Sequence, residues 1–195
     1  MLMNYWAPFP QMTDLKKAVF LDRDGTLNIE KSYLCDPDQL TFFPEVVPAM
    51  TQLIQLGYRL FIVTNQSGIG RGYYTLEDMH RVNARLIEAL QPEGIEFDRI
   101  YFAPESPEEP SYGRKPSPNF LKDASREFGL QLDQSFMVGD KLSDLECGRN
   151  AGVRASILVR TGYGAETEAR FRSGKHPWWI ANDLLHVVEM IRTKH

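Results

Sequence analysis

The sequence predicts a three-layer α/β fold with a doubly wound, Rossmann-like, mostly parallel sheet. Short apolar runs with strand character alternate along the chain with segments of helical periodicity, and this order favours parallel strands with helices packed on both faces of the sheet. Three of the apolar runs end in polar residues, at Asp22, Thr64 and Asp140. Because ligands of such sheets bind outside the carboxyl ends of the strands, these residues predict a functional site at that edge.

The first half of the chain supplies two of the predicted strands and two of the predicted helices. Residues 18–22, AVFLD, form an apolar strand, and residues 44–57 carry apolar residues at helical spacing up to a final glycine. Residues 58–64, YRLFIVT, are rich in β-branched and aromatic residues and form the second strand. A glycine-rich loop, NQSGIGRGYY, follows, and a capped helix is expected over residues 75–90.

The second half supplies three more strands, predicted over residues 99–103, 135–140 and 155–159. Helices are predicted between and after them, over residues 117–129, 143–151 and 183–192. Ser117 and Ser143 are the expected N-caps of the first two, and Pro118 suits the first helical position. Strands and helices therefore alternate over almost the whole chain, as a doubly wound sheet requires.

Composition places the chain among globular proteins. Its 195 residues are 43% hydrophobic and 25% charged, and they fit one domain. We expect an N-terminal extension over residues 1–14 and a single domain over residues 15–195. A net charge of −4 argues against nucleic acid as a partner. No apolar run approaches the ~20 residues that span a membrane, and the N-terminus lacks the basic start and apolar core of a secretory signal. We expect a cytoplasmic monomer without a membrane partner.

Three aspartates at strand ends indicate metal-assisted phosphoryl chemistry. Carboxylates are hard oxygen ligands that suit Mg²⁺, and without a cation clustered carboxylates repel one another and partly protonate. A divalent cation also lets an anionic nucleophile approach an anionic phosphate ester. Asp22 can then attack phosphorus to form an aspartyl-phosphate. Asp24 can protonate the leaving alcohol and later deprotonate water, in which case its backbone carbonyl, rather than its side chain, binds the metal beside Asp22 and Asp140.

Further residues can neutralise the transferring phosphoryl group, which carries negative charge on its equatorial oxygens. Thr64 offers a hydroxyl and the backbone N–H groups that follow it, and Lys115 offers a positive charge. Taken alone, a loop lysine such as Lys115 is more typical of a solvated surface charge. Asp144 lies four residues after Asp140, on the same face of a helix, and could orient Lys115 or a backbone group.

Four segments together resemble the motifs of the haloacid dehalogenase-like phosphatases. They are DRDGT at 22–26, the strand end at Thr64, Lys115, and GDKLSD at 139–144. The resemblance covers roughly residues 17–164. It implies a nucleophilic Asp22, an acid/base Asp24, and Mg²⁺ held by Asp22, the Asp24 carbonyl and Asp140.

A narrower resemblance points to the D-glycero-D-manno-heptose 1,7-bisphosphate phosphatases. It rests on the segments FLDRDGTLN, VTNQSGIGRG, RKPSP, MVGDKLSDLECG and LVRTGYG. Histidinol-phosphate phosphatases share much of this pattern, and neither group has a large cap domain. The resemblance implies substrate contacts from two loops and from three positively charged side chains. The first loop is Glu30 to Tyr33, the second comprises Thr64, Asn65, Gln66 and Ser67, and the charged residues are Arg114, Lys115 and Lys141. Arg114 and Lys141 also suit a second phosphate. A solvated charge is the alternative reading for each, and for Lys141 the two readings are nearly equal.

The chain departs from this family in one loop. The family carries a Cys/His zinc-binding loop just before the Arg-Lys pair, whereas this segment reads YFAPESPEEPSYGRK and contains neither residue. The two cysteines, Cys35 and Cys147, lie elsewhere and in no CxxC spacing. We therefore expect Mg²⁺ as the cofactor, no zinc, and two reduced thiols.

The resemblance implies a Mg²⁺-dependent phosphomonoesterase acting on a small phosphorylated metabolite. The favoured reaction removes the C7 phosphate of the heptose bisphosphate, a step towards nucleotide-activated heptose for lipopolysaccharide and other cell-surface polysaccharides. A phosphatase for histidinol phosphate or another sugar phosphate is the alternative. A catalytically silent binding module is a second alternative, against which the intact Asp22, Asp24, Lys115 and Asp140 argue. A nucleic-acid 3′-phosphatase fits the acidic balance poorly.

Overall fold

The computed structural model describes residues 16–170 and 177–193, and the expected extension over residues 1–14 lies outside them. Within this part of the chain, six strands form one sheet in the order β3-β2-β1-β4-β5-β6. Every neighbouring pair is parallel. The strands are β1 (Ala18–Leu21), β2 (Arg59–Asn65), β3 (Arg99–Ala103), β4 (Phe136–Gly139), β5 (Ala155–Val159) and β6 (Trp179–Ala181). This arrangement confirms the predicted doubly wound α/β fold.

Seven α-helices are described in the same residues. They are α1 (Val46–Gln55), α2 (Ser67–Gly70), α3 (Leu76–Leu90), α4 (Asn119–Phe128), α5 (Leu142–Ala151), α6 (Gly164–Ala169) and α7 (Leu184–Thr193). Short 3₁₀ turns cover Pro37–Gln39, Gln91–Glu93 and Leu132–Gln134. No described helix is long and apolar enough to cross a bilayer.

Side chains alternate across the sheet and build a core on each face. Val19 and Leu21 of β1 belong to the cluster that buries the apolar sides of α1 and α7, whereas Phe20 packs in the opposite cluster with residues of α4 such as Leu121. Successive side chains of a strand point to opposite faces, so a run that is apolar at every position is the pattern of a strand covered on both sides. The three layers predicted from the sequence follow from this pattern.

The observed N-cap residue agrees with the prediction for one helix and differs from it for two. Thr75 and Asp78 form the expected reciprocal capping box at the start of α3. Helix α5 begins at Leu142 with Lys141 as its N-cap, so the prediction of Ser143 was wrong. The carboxylate of Asp144 accepts from the backbone N–H of Lys141 at 2.9 Å and so fixes the earlier start. Helix α4 has Pro118 as its N-cap, one residue later than predicted.

Three elements were not predicted. Helix α2 occupies part of the segment expected to be a glycine-rich loop, and α6 and β6 follow β5 in a region without strong periodicity. The central pair of strands, β1 and β4, are neighbours with β2 beside β1. The carboxyl ends of these three strands therefore carry Asp22, Asp140 and Thr64 to one edge of the sheet, as expected.

Candidate active site

The loop after β1 turns sharply and brings Asp22 to the edge of the sheet. The Asp22 N–H donates to the Val138 carbonyl at 2.9 Å, which continues the pairing with β4. The turn requires Gly25, whose φ is +85°. A Cβ atom at Gly25 would also lie 2.2 Å from Oδ2 of Asp140. The loop thus packs directly against the strand end that carries Asp140, and only glycine fits there.

Lys115 is buried in the site rather than solvated. Only 3% of the residue is exposed, and its ammonium lies 2.8 Å from Asp22 Oδ1 and 2.6 Å from Asp144 Oδ1. It also donates to the Val63 carbonyl at 2.7 Å. Burial alone would lower the pKa of Lys115, but the charges of Asp144 and Asp22 outweigh burial and raise that pKa above its ordinary value. Lys115 is therefore a fixed positive charge beside Asp22.

Asn65 holds the backbone of Lys115 in this position. Its Oδ1 accepts from the Lys115 N–H at 2.9 Å, and its Nδ2 donates to the Lys115 carbonyl at 3.1 Å. Because Asn65 ends β2, this pair of hydrogen bonds ties the lysine loop to the strand that carries Thr64.

Three carboxylates converge where a cation fits. One oxygen from each of Asp22, Asp140 and Asp144 lies within 4.8 Å of the others, and this is the only such group of three potential metal ligands in residues 16–170 and 177–193. Asp140 Oδ1 is buried without a hydrogen-bond partner. Burial and the charge of Asp22 raise the pKa of Asp140 to about 8. The hard oxygen ligands, the unpartnered buried oxygen of Asp140 and the repulsion between Asp140 and Asp22 all fit a bound Mg²⁺.

Asp144 orients two groups and is itself fully buried. One oxygen contacts the Lys115 ammonium and the other caps α5 at the Lys141 N–H. Both roles considered for Asp144, orienting Lys115 and binding a backbone group, are thus present in the structure.

The carboxylate of Asp24 is held by four hydrogen bonds. Its Oδ2 accepts from Arg23 Nε at 3.1 Å, from Arg23 Nη2 at 2.8 Å and from Gln66 Nε2 at 2.9 Å, and its Oδ1 accepts from Asn28 Nδ2 at 2.9 Å. Burial alone would raise the pKa of Asp24, but the charge of Arg23 and these hydrogen bonds outweigh it and hold that pKa below its usual value.

A cavity of about 310 Å³ opens over these groups. The residues that line it come from five loops and include most of those predicted from the sequence. They are Asp22, Asp24, Glu30, Ser32, Tyr33, Leu34, Thr64, Asn65, Gln66, Ser67, Tyr74, Lys115, Lys141, Ser143, Asp144 and Tyr163. The site is therefore one concave space of the size expected for a small-molecule ligand.

One wall of the cavity carries an ion pair beside an aromatic ring. Lys141 Nζ lies 3.1 Å from Glu30 Oε2 and 5.0 Å from the centroid of the Tyr163 ring. Glu30 also accepts from the Ser32 N–H at 2.9 Å, which shapes the loop that carries Tyr33. Tyr33 is 42% exposed and meets Tyr73 edge-on. The cavity mouth therefore presents the ammonium of Lys141 and the aromatic rings of Tyr33 and Tyr163.

Arg114 does not line this cavity, although its neighbour Lys115 does. Its guanidinium donates to the Glu105 carbonyl at 3.1 Å. The Glu105 carboxylate accepts from Ser111 Oγ at 2.7 Å, and Ser111 Oγ in turn accepts from the Arg114 N–H at 3.1 Å. The cysteine-free loop before Arg114 is thus closed by side-chain hydrogen bonds.

Sequence reasoning missed several residues of this site. Leu34, Tyr74, Ser143 and Tyr163 line the cavity, and Arg23 binds the carboxylate of Asp24, which also lines it. A signal existed for Arg23, which stands between two strand-end aspartates. Tyr163 follows β5, which was predicted as a strand, but no residue pattern marked the loop after it.

Comparison with known proteins places the chain in a family. A family model described as HAD-hydrolase-like matches residues 112–187, and together the sheet, the carboxylates and the buried lysine define a haloacid dehalogenase-like hydrolase. A protein of Photorhabdus laumondii named D-glycero-beta-D-manno-heptose-1,7-bisphosphate 7-phosphatase is 41% identical over 165 residues, which are 81% of this chain and 88% of that protein. The chain belongs to this phosphatase family.

Two further matches agree with this placement. A Helicobacter pylori protein of the same name is 37% identical and aligns with 93% of this chain and all of its own length. The crystal structure of D,D-heptose 1,7-bisphosphate phosphatase from B. bronchiseptica, complexed with magnesium and phosphate, superposes with a TM-score of 0.84 at 30% identity. That match covers 92% of this chain and 99% of the other.

Proposed function

We propose that this protein is a Mg²⁺-dependent phosphomonoesterase that removes the C7 phosphate of D-glycero-β-D-manno-heptose 1,7-bisphosphate. The observation that carries the proposal is the contact of Lys115 with Asp22 at a cavity, with the unpartnered Oδ1 of Asp140 buried in the same cluster of carboxylates. The names of the relatives supply the substrate. The reaction would serve the synthesis of nucleotide-activated heptose for bacterial lipopolysaccharide.

The reaction follows from the positions of Asp22 and Asp24. Asp22 attacks phosphorus and the bond from phosphorus to the C7 oxygen breaks. Asp24 gives that oxygen a proton, which it must first take up in the substrate complex because its pKa in the free enzyme lies below the usual value. Water then attacks the aspartyl-phosphate and gives a proton back to Asp24, which releases phosphate and restores Asp22. Lys115 and Thr64 bind the equatorial phosphoryl oxygens, on which negative charge remains throughout.

Asp22, the Asp24 carbonyl and Asp140 are the groups that would hold Mg²⁺. When bound there, Mg²⁺ supplies positive charge that lets the two anions approach and that stabilises the phosphoryl oxygens. Asp144 stays outside this set because its oxygens already bind Lys115 and the Lys141 N–H.

The substrate residues carry the rest of the sugar and its second phosphate. We assign contacts to Glu30 and Tyr33 on one loop and to Thr64, Asn65, Gln66 and Ser67 on another, together with Lys115. All of these line the cavity. Lys141 is the cation suited to the second phosphate, and Arg114 would join it once the Glu105 carbonyl is exchanged for a phosphate oxygen.

Other properties are part of the same proposal. We propose that no zinc binds the loop before Arg114, because that loop lacks cysteine and histidine and is closed by hydrogen bonds. Two free thiols fit a reducing cytoplasm, and we propose a monomer without membrane or nucleic-acid partners. Residues 15–195 form the single phosphatase domain, and residues 1–14 extend it.

The direct test is hydrolysis of a panel of phosphorylated metabolites with Mg²⁺. The panel contains the heptose 1,7-bisphosphate, histidinol phosphate, common sugar monophosphates and 4-nitrophenyl phosphate. We expect the highest kcat/KM for the heptose bisphosphate, and complete loss of activity on every member in Asp22→Asn. Preference for histidinol phosphate or a monophosphate would overturn the proposed substrate but leave the proposed phosphatase mechanism standing. Absence of hydrolysis on all members would favour a silent binding module.

A further inference from the structure

Arg23, which lies between Asp22 and Asp24 in the sequence, is a fully buried arginine. None of its surface is exposed, yet each end of its guanidinium has a partner. Besides Asp24, it donates from Nη1 to Asn83 Oδ1 at 2.9 Å and from Nη2 to Gln66 Oε1 at 3.0 Å. A buried charge is costly unless it is paired and hydrogen-bonded. The partners of Arg23 meet this requirement, and they fix the plane of its guanidinium.

The orientation of Asp24 depends on this guanidinium. Two of the three hydrogen bonds to Oδ2 of Asp24 come from Arg23, and they arrive from two different nitrogens. Two N–H groups that converge on one oxygen fix the position of Oδ2, and the bond from Asn28 Nδ2 to Oδ1 fixes the other oxygen, so that together they set the carboxylate plane. The Asp24 side chain is 14% exposed, whereas that of Arg23 is fully covered, so Arg23 holds Asp24 from the side opposite the cavity.

Gln66 has no free hydrogen-bonding capacity with which to replace this support. Its Nε2 donates to Asp24 and to Thr64 Oγ1, and its Oε1 accepts from Arg23 and from the Tyr74 hydroxyl at 2.7 Å. Two donors and two acceptors are the full complement of a glutamine amide. Apart from Asp24, the Arg23 guanidinium is therefore fixed at Nη2 by Gln66 and at Nη1 by Asn83, and Gln66 cannot take over the bond to Nη1.

Asn83 anchors the network from helix α3. It is 6% exposed, and it is not among the residues that line the cavity. Its Nδ2 contacts Met79 Sδ one turn earlier on the same helix, which leaves Oδ1 directed to Arg23. Asn83 therefore reaches Asp24 only through Arg23.

We propose that Arg23 and Asn83 are positioning residues that set the carboxylate of Asp24 for proton transfer to the leaving oxygen. The inference rests on the proposed acid/base role of Asp24. It goes beyond that role because it assigns a function to a helix residue outside the cavity. Loss of Asn83 Oδ1 frees one end of the guanidinium, so that the two hydrogen bonds from Arg23 to Asp24 loosen while those from Gln66 and Asn28, the nucleophile and Lys115 keep their positions.

The test compares leaving groups that differ in their need for a proton. Asn83→Leu and wild-type enzyme are assayed with 4-nitrophenyl phosphate, whose leaving group departs readily as an anion, and with phenyl phosphate, whose leaving group does not. We expect kcat/KM of Asn83→Leu to fall about tenfold more for phenyl phosphate than for 4-nitrophenyl phosphate, because general-acid assistance matters only for the poorer leaving group. Asn83→Asp keeps the acceptor for Arg23 and restores the wild-type ratio.

Val82→Ala is the matched control, because Val82 is a fully buried neighbour on α3 whose apolar side chain cannot form a hydrogen bond with Arg23. We expect it to change both substrates by the same factor. Equal losses on both substrates in Asn83→Leu, or no loss on either, would overturn the inference. Failure of the wild-type enzyme to hydrolyse any aryl phosphate would instead count against the proposed function, so the two failures are distinguishable.

Discussion

The ammonium of Lys115 lies 2.8 Å from Oδ1 of Asp22, in a part of the site from which solvent is almost excluded. This contact places a positive charge next to the proposed nucleophile. The same ammonium also forms an ion pair with Asp144. Lys115 thus links two strand ends and a helix start through one side chain. The relationship explains why a lysine that resembles a solvated loop residue in the sequence is buried in the structure.

Lys115→Met should lose activity and stability together. We expect kcat to fall about 10²–10³-fold, because a preorganised positive group at the phosphoryl oxygens is lost, and the free energy of unfolding to fall by about 3–5 kcal/mol, because buried carboxylates lose their partner. Steady-state assays at saturating Mg²⁺ and urea unfolding measure both. Lys122→Met, on the exposed side of α4, is the control. An unchanged kcat in Lys115→Met would contradict the assigned role.

Asp140→Asn should weaken metal binding without weakening the metal-free fold. Removal of one carboxylate relieves repulsion with Asp22, so the melting temperature without metal should stay equal or rise, while the Mg²⁺ concentration for half-maximal activity should increase at least ~10-fold through loss of a charged ligand. Chelation with EDTA should abolish wild-type activity, and added Mg²⁺ should restore it. Asp38→Asn, at an exposed site, should show neither effect. A wild-type Mg²⁺ dependence in Asp140→Asn would remove Asp140 from the ligand set.

Lys141→Met should discriminate between substrates with one and two phosphates. Lys141 forms its ion pair with Glu30 at the cavity wall, whereas Lys115 forms its ion pairs with Asp22 and Asp144. A hydrogen bond to a charged group contributes about 1.5–3 kcal/mol, so we expect KM for the heptose bisphosphate to rise about tenfold or more. The KM for 4-nitrophenyl phosphate should change little. The same factor for both substrates would show that Lys141 does not bind the second phosphate.

Glu105→Ala should loosen Arg114 without any change in metal content. Its carboxylate binds Ser111 Oγ, which supports the Arg114 N–H, so we expect a higher KM for the bisphosphate and an unchanged kcat for 4-nitrophenyl phosphate. Glu108→Ala is the control, since that side chain is 75% exposed.

Elemental analysis of the purified wild-type protein should find no stoichiometric zinc. One zinc per chain would contradict the proposed metal-free loop.

The sheet and the strand-end residues could be predicted because their signals are local. Each of the five predicted strands is a short apolar run, and the polar residue that ends β1, β2 or β4 is visible beside it. The order of the strands then brings these ends together without further information. By contrast, β6 has only three residues and α6 only six, too few for periodicity to be detected.

The partners of charged side chains could not be predicted because they come from distant elements. Arg23 finds Asn83 sixty residues later, and nothing in the local sequence marks that asparagine on an amphipathic helix. The start of α5 illustrates a smaller version of the same limit. Ser143 is a good N-cap by residue type, but the Asp144 carboxylate binds the Lys141 N–H and moves the start of the helix.

The most direct test of the account is to find where the phosphoryl group resides during turnover. Wild-type enzyme with Mg²⁺ and ³²P-labelled heptose bisphosphate is quenched with acid within a single turnover, and the labelled peptide is mapped by mass spectrometry. The account predicts label on Asp22, and none in Asp22→Asn. Label on another residue, or full hydrolysis without any labelled protein at every quench time, would contradict it.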